Sequence, residues 1–143
     1  MLQSAKAHEP VQSILWEDLF DKPVAVEFSA ERLTDNAGLL LPAAVDRRWS
    51  LTARIAAALR DRRDPELIVH TLRDLLRQRV YGLLAGYADA NDAARLKNDP
   101  TFRLLLDRSL EDEEDALASQ PTFSRFENAI NRGSLMRWGQ ILV

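Results

Sequence analysis

The strongest constraint in this chain is a stripe of apolar residues at helical spacing. Ile68, Leu72, Leu75, Leu76, Val80, Leu83 and Leu84 recur at intervals that place them on one face of an α-helix. Asp64-Pro65 stands just before them. An aspartate there accepts hydrogen bonds from the free amides of a first turn, and proline lacks the amide that a first turn does not need. The pattern predicts a long central helix over about 65–85, with Leu72, Leu76 and Leu83 buried. His70, Arg73, Asp74 and Arg77 fall on another side of it. Gly82 and Gly86 near its end mark where a second backbone can approach or the helix can stop.

Shorter helices are expected around it. Thr34 and Asp35 are candidate caps for a helix over roughly 36–48, with Leu39, Leu40, Ala43 and Ala44 facing inward. Pro42 inside that span predicts a kink or a later start. Ser50 is placed to cap a second helix through Leu51, Ile55, Ala58 and Leu59. Ala90 to Leu96 makes a short helix, and Pro100 opens another through Phe102, Leu105 and Leu106. Ser119-Gln120-Pro121-Thr122 starts one through Phe123, Phe126 and Ile130, with Gln120 at the cap; the pattern leaves Leu135 to Val143 open.

Val24-Ala25-Val26-Glu27-Phe28, after Pro23, is the one convincing strand signal. A single strand is no sheet, so this is an edge partner or an extended segment packed on helices. Residues 1–22 read as a loose lead-in with Trp16, Leu19 and Phe20 as anchors. The expected fold is therefore mainly α: a multi-helix domain over 23–143, with a long central helix and one short N-terminal β-strand or extended segment.

Composition removes several kinds of chemistry. The chain contains no cysteine, which excludes disulfides, thiol catalysis and zinc–thiolate sites. No apolar run approaches the length of a membrane span, and the first residues lack a signal-peptide core, so a cytoplasmic protein without membrane contact is expected. The five glycines never form a phosphate-cradling loop. His8 and His70 stand apart, without metal-ligand spacing, and His70 reads as a structural or solvent-facing group. No cofactor is expected, and no metal ligand or catalytic residue is assigned.

The net charge of −3 hides a segregated pattern. Between Arg47 and Arg79 there are nine arginines against four acids, whereas Glu111 to Asp115 is an unbroken acidic run. Such blocks cancel in the total yet stay separate on the surface. Arginine is a rigid multi-donor fork suited to phosphate, though solvated helix faces account for arginines as well. The candidate phosphate contacts are Arg47, Arg48, Arg73, Arg77 and Arg79. Around the helix start near residue 120, Gln120, Thr122, Ser124 and Arg125 are candidates for phosphate or base-edge contacts. The helix near 100–107 followed by this one is a loose helix-turn-helix match, because the connection is long. Simple capping of a structural helix is the competing reading.

Several stretches together resemble a known family. They are Leu33-Thr34-Asp35-Asn36-Ala37-Gly38-Leu39-Leu40-Leu41; Asp46-Arg47-Arg48; His70-Thr71-Leu72-Arg73-Asp74-Leu75-Leu76-Arg77-Gln78-Arg79-Val80-Tyr81-Gly82; Gly86-Tyr87-Ala88-Asp89-Ala90-Asn91-Asp92; and, most specific, Leu117-Ala118-Ser119-Gln120-Pro121-Thr122-Phe123-Ser124-Arg125-Phe126-Glu127-Asn128. Over roughly 24–138, their order and spacing are similar to the N-terminal region of bacterial insertion-sequence transposases of the DDE class. In that group this region precedes a ribonuclease-H-like catalytic core.

The resemblance implies recognition of an element's terminal inverted repeats. It also implies strand cleavage and transfer at two divalent metals held by three acids on the core that follows. This chain stops at Val143, before such a core would begin, so it is expected to be non-catalytic and incomplete at its C-terminal end. Divalent metal is expected only for a full-length relative. Asp46 and Glu127 are assigned helix or pairing roles. The expected partners are double-stranded DNA at transposon ends, and a second protomer or the missing catalytic domain. If DNA-binding, the chain would associate with the nucleoid. The alternative is a structural interaction module, or a regulator made from a truncated transposase.

Overall fold

The computed structural model describes Val24, residues 33–112 and residues 114–141. The chain divides into two compact units, 1–33 and 34–143. Apart from Val24, the lead-in over 1–22 and the strand expected over 24–28 lie outside the described residues. The second unit is helical, as the sequence predicts. Its helices are α1 (Leu40–Trp49), α2 (Leu51–Ala57), α3 (Leu72–Leu84), α4 (Ala93–Leu96), α5 (Pro100–Leu105), α6 (Gln120–Ala129) and α7 (Arg132–Ile141). None is long and apolar enough to cross a membrane.

Pro42 resolves as a later start. A short 3₁₀ turn over Ala37–Leu39 comes first, and α1 then begins at Leu40 with Pro42 in its first turn, where no amide is required. Leu39, Leu40 and Ala43 are buried. Ser50 has a left-handed backbone, φ 52°, and its side chain does not cap α2. Asp46, one turn back in α1, does that work instead by accepting the Thr52 amide at 2.7 Å.

The central helix is shorter than the stripe implies. Asp64 and Pro65 start only a 3₁₀ turn, Pro65–Leu67. The following Ile68-Val69-His70-Thr71 breaks away, with Ile68 extended at ψ 104°. Helix α3 begins instead at a capping box: the Thr71 hydroxyl accepts the Asp74 amide at 3.1 Å, and the Asp74 carboxylate accepts the Thr71 amide at 3.2 Å. It ends at Gly86, where φ is +89°. There the Tyr87 amide donates to Gly82 O at 2.9 Å and the Gly86 amide to Leu83 O at 3.1 Å, a Schellman stop.

Helix α3 is nonetheless the wall of the core. Leu75 and Leu76 pack with Ala56 of α2, Ala93 of α4, Ala118, and Phe123 and Phe126 of α6. Leu72, Val80 and Trp138 are partly buried against the same cluster. Leu83 is 52% exposed, contrary to the expectation, because it sits in the last turn beyond that packing. Four consecutive residues, Leu75, Leu76, Arg77 and Gln78, are buried. Consecutive positions point in all directions around a helix, so this turn is enclosed on every side.

Candidate nucleic-acid interface

Enclosure of that turn decides the fate of the central arginines. Arg77, expected on an outer side, is 3% exposed. Its Nε donates to Asp46 Oδ2 at 3.3 Å and to the Thr52 hydroxyl at 3.2 Å. Asp46 also accepts the Thr52 hydroxyl at 2.6 Å and the Tyr81 hydroxyl at 3.0 Å. Burial works against the Asp46 carboxylate, but the Thr52 hydroxyl and amide, the Tyr81 hydroxyl and the Arg77 charge outweigh it, so its pKa lies below the ordinary value. The same enclosure, then the nearby Asp46 charge and hydrogen bond, push the Tyr81 phenol far above its ordinary value. Arg77 is an internal tie between α1, α2 and α3, and this corrects its assignment as a phosphate contact.

Two other arginines are committed within the fold. Arg47, half-buried, donates to Asp107 at 2.6 Å. Arg79 pairs with Glu127 of α6 at 2.6 Å and donates to Tyr87 O and Ala88 O at 3.4 and 2.9 Å. These pairs agree with the pairing roles expected for Asp46 and Glu127. Arg48 and Arg73 are exposed, and neither has an ion-pair partner among the described residues.

Helix α6 is positioned by two neighbours on α3. The buried Gln78 amide meets the Ala118 backbone from both sides, accepting its amide at 3.0 Å and donating to its carbonyl at 3.2 Å. That pair of hydrogen bonds fixes the chain immediately before α6, and Arg79–Glu127 holds the helix further along. Ser119, not Gln120, occupies the cap position; its hydroxyl lies 3.2 Å from that of Thr122. Gln120, Thr122 and Ser124 are half-buried, and Arg125 is exposed. Phe123 and Phe126 face the core.

Helix α6 has a much shorter connection to the helix that follows it than to the one expected before it. Residues 106–119 separate α5 from α6, whereas only Ile130 and Asn131 separate α6 from α7. Asn131 carried the overlooked signal, because its side chain accepts the Ser134 amide at 3.0 Å and so caps α7. Helix α7 then crosses α2: Trp138 Nε1 donates to Ile55 O at 3.1 Å and Arg137 Nε to Ala58 O at 2.9 Å.

The acidic run is tied to the start of α3. Arg108 pairs with Asp115 at 2.8 Å and with Asp74 at 3.2 Å, and Asp115 also accepts the Ser109 amide at 2.7 Å. Buried Arg103 donates to the carbonyls of Asp112 and Asp115. His70 belongs to this structural group: its Nδ1 lies 3.5 Å from Arg108, and burial, then the Arg108 charge, hold its pKa below the ordinary value.

The chain matches a family model, Transposase DDE domain group 1, over residues 16–143. It belongs to that family. Its role is therefore transposase-related, and the family acts on DNA in general. No curated protein and no solved structure matches the chain. DDE enzymes use divalent metal held by three acids, and the two acids that the sequence singles out are engaged within this fold. Asp46 is saturated by four donors, Glu127 is paired, and no group of three potential ligands occurs among the described residues. No metal-dependent step is assigned to them.

Proposed function

We propose that this chain is a non-catalytic DNA-binding and assembly region of a DDE transposase, contributing to recognition of the element's terminal inverted repeats. The observation that carries this reading is the outer side of α6. Arg125 is exposed there without an ion-pair partner among the described residues, while Glu127, the one acid of α6, is held by Arg79. Cationic and polar groups on a helix held firmly against a core suit contact with a duplex. Gln120, Thr122 and Ser124 flank Arg125, and of the five candidate phosphate arginines Arg48 and Arg73 remain exposed for contacts elsewhere.

Binding of the full chain to the element's terminal duplex and to scrambled duplex, titrated with salt, tests this. Affinity should fall steeply as salt rises, and Arg125→Ala should bind more weakly and lower the salt slope by about one counterion. Unchanged affinity and slope in a folded Arg125→Ala protein would refute the DNA assignment. A specific observation then favours the second reading. Leu41, Val45 and Trp49 are exposed one turn apart along α1, an apolar stripe suited to packing on a catalytic core or a second protomer.

The absence of catalysis is a separate expectation. Purified chain incubated with supercoiled DNA and magnesium or manganese should leave it uncut. Metal-dependent cleavage lost on mutating the chain's own acids would overturn the non-catalytic assignment.

A further inference from the structure

Helix α6 has an outward face whose centre is a residue without a role in the fold. Projected at about 100° per residue, Arg125 and Asn128 lie opposite the buried Phe123 and Phe126. Gln120 and Thr122 fall nearer the flanks, which agrees with their half-buried state. Asn128 is exposed, and its amide makes no hydrogen bond among the described residues. Asn91 and Asn98 are likewise exposed without a side-chain hydrogen bond among the described residues, but neither lies on α6, and two further asparagines have structural roles. Asn36 donates to Asp99 at 2.9 Å, and the Asn131 side chain caps α7.

We infer that Asn128 is a base-reading residue, its side-chain amide pairing with an adenine edge in the major groove of duplex DNA while Arg125 supplies the charge that holds that face to the duplex. This rests on the DNA-binding reading of α6. A carboxamide presents one donor and one acceptor side by side, matching the N6 donor and N7 acceptor of adenine. Three residues along a helix rise about 4.5 Å, close to one base-pair step, so both side chains reach neighbouring positions. Glu127, the one acid of α6, lies to the side of that face and is bound to Arg79 at 2.6 Å.

The test uses the full chain and a pool of duplexes with a randomised central window, selected by binding and sequenced. The wild-type chain should enrich a site with a strongly preferred adenine. Asn128→Ala should lose that preference, bind the selected duplex about tenfold more weakly or worse, and keep the wild-type salt slope, since the amide contacts no phosphate. Asn128→Gln, which keeps the amide, should recover part of the adenine preference. Retained adenine preference in Asn128→Ala, or an equal loss on every duplex, overturns this inference while leaving DNA binding by α6 intact. Failure of the wild-type chain to bind any duplex overturns the DNA reading itself, and this inference with it.

Discussion

Asp46→Ala should be among the most destabilising single changes in the chain, lowering folding stability by about 3–5 kcal/mol. Removing the carboxylate leaves Arg77 as a buried charge without its main partner, and strips acceptors from the Thr52 amide and hydroxyl and the Tyr81 hydroxyl. Asp107 offers Arg77 only a longer contact, at 3.6 Å, with a carboxylate that is largely exposed. Domains of this kind are stable by about 5–15 kcal/mol, so the loss is a large share of the whole. Denaturant titration followed by circular dichroism measures it. If the damage comes from the stranded charge, adding Arg77→Met should return part of the stability. A midpoint unmoved in Asp46→Ala would show that the network contributes nothing.

The same carboxylate sets a pH dependence whose sign follows from its shift. Its folded pKa lies below the ordinary value. The stabilisation is therefore complete above the unfolded value of about 3.9 and disappears as pH falls through the folded value. Stability should decline on acidification below about pH 5, and Asp46→Asn should flatten that decline. Some slope should remain, because Asp61, held by Arg63, and Asp115, held by the Ser109 amide and Arg108, have their pKa values lowered in the same direction.

The helical class and its central wall were legible because Leu72, Leu75, Leu76 and Val80 follow a helical period, and period survives without knowledge of neighbours. Ends set by local chemistry were partly legible too. Pro42 and Pro100 each sit in a first turn, and Gly86 closes α3 in the left-handed region. The start of α3 was misplaced because Asp64-Pro65 is the louder signal, although Thr71 and Asp74 carried the true capping box. Residues assigned by polarity failed where packing is not one-sided. A polar residue at an outer helical angle is expected in solvent, but the turn containing Arg77 and Gln78 is enclosed, so both became internal connectors. Asp46 capping α2 was likewise invisible, since it depends on how the chain turns through Ser50. On α6, the helix-start pattern points to the neighbourhood of Arg125, whereas Asn128 emerges only once the buried face is known.

Phe102→Ala should match Asp46→Ala in size, by a different mechanism. Phe102 is 0% exposed, and its ring meets Tyr87 edge-on with centroids 6.3 Å apart. Truncation removes the transfer free energy of the ring and leaves a cavity that rigid neighbours fill only in part, a loss of about 3–5 kcal/mol. The backbone around it gives little room to collapse. Asp99 accepts the Phe102 amide at 2.9 Å through one oxygen, and through the other it accepts Thr34 and Asn36 at 2.8 and 2.9 Å. The start of α5 is thus anchored to the segment leading into α1 even when the ring is lost. Leu83→Ala is the matched control on α3: half-exposed and outside the core cluster, it should change stability by no more than about 1 kcal/mol. The contrast separates burial from hydrophobicity, because the sequence alone places both side chains inside. Equal losses for the two variants would mean that the last turn of α3 packs against something beyond the described core, and a small loss for Phe102→Ala would mean that the neighbours of the ring collapse freely into its place.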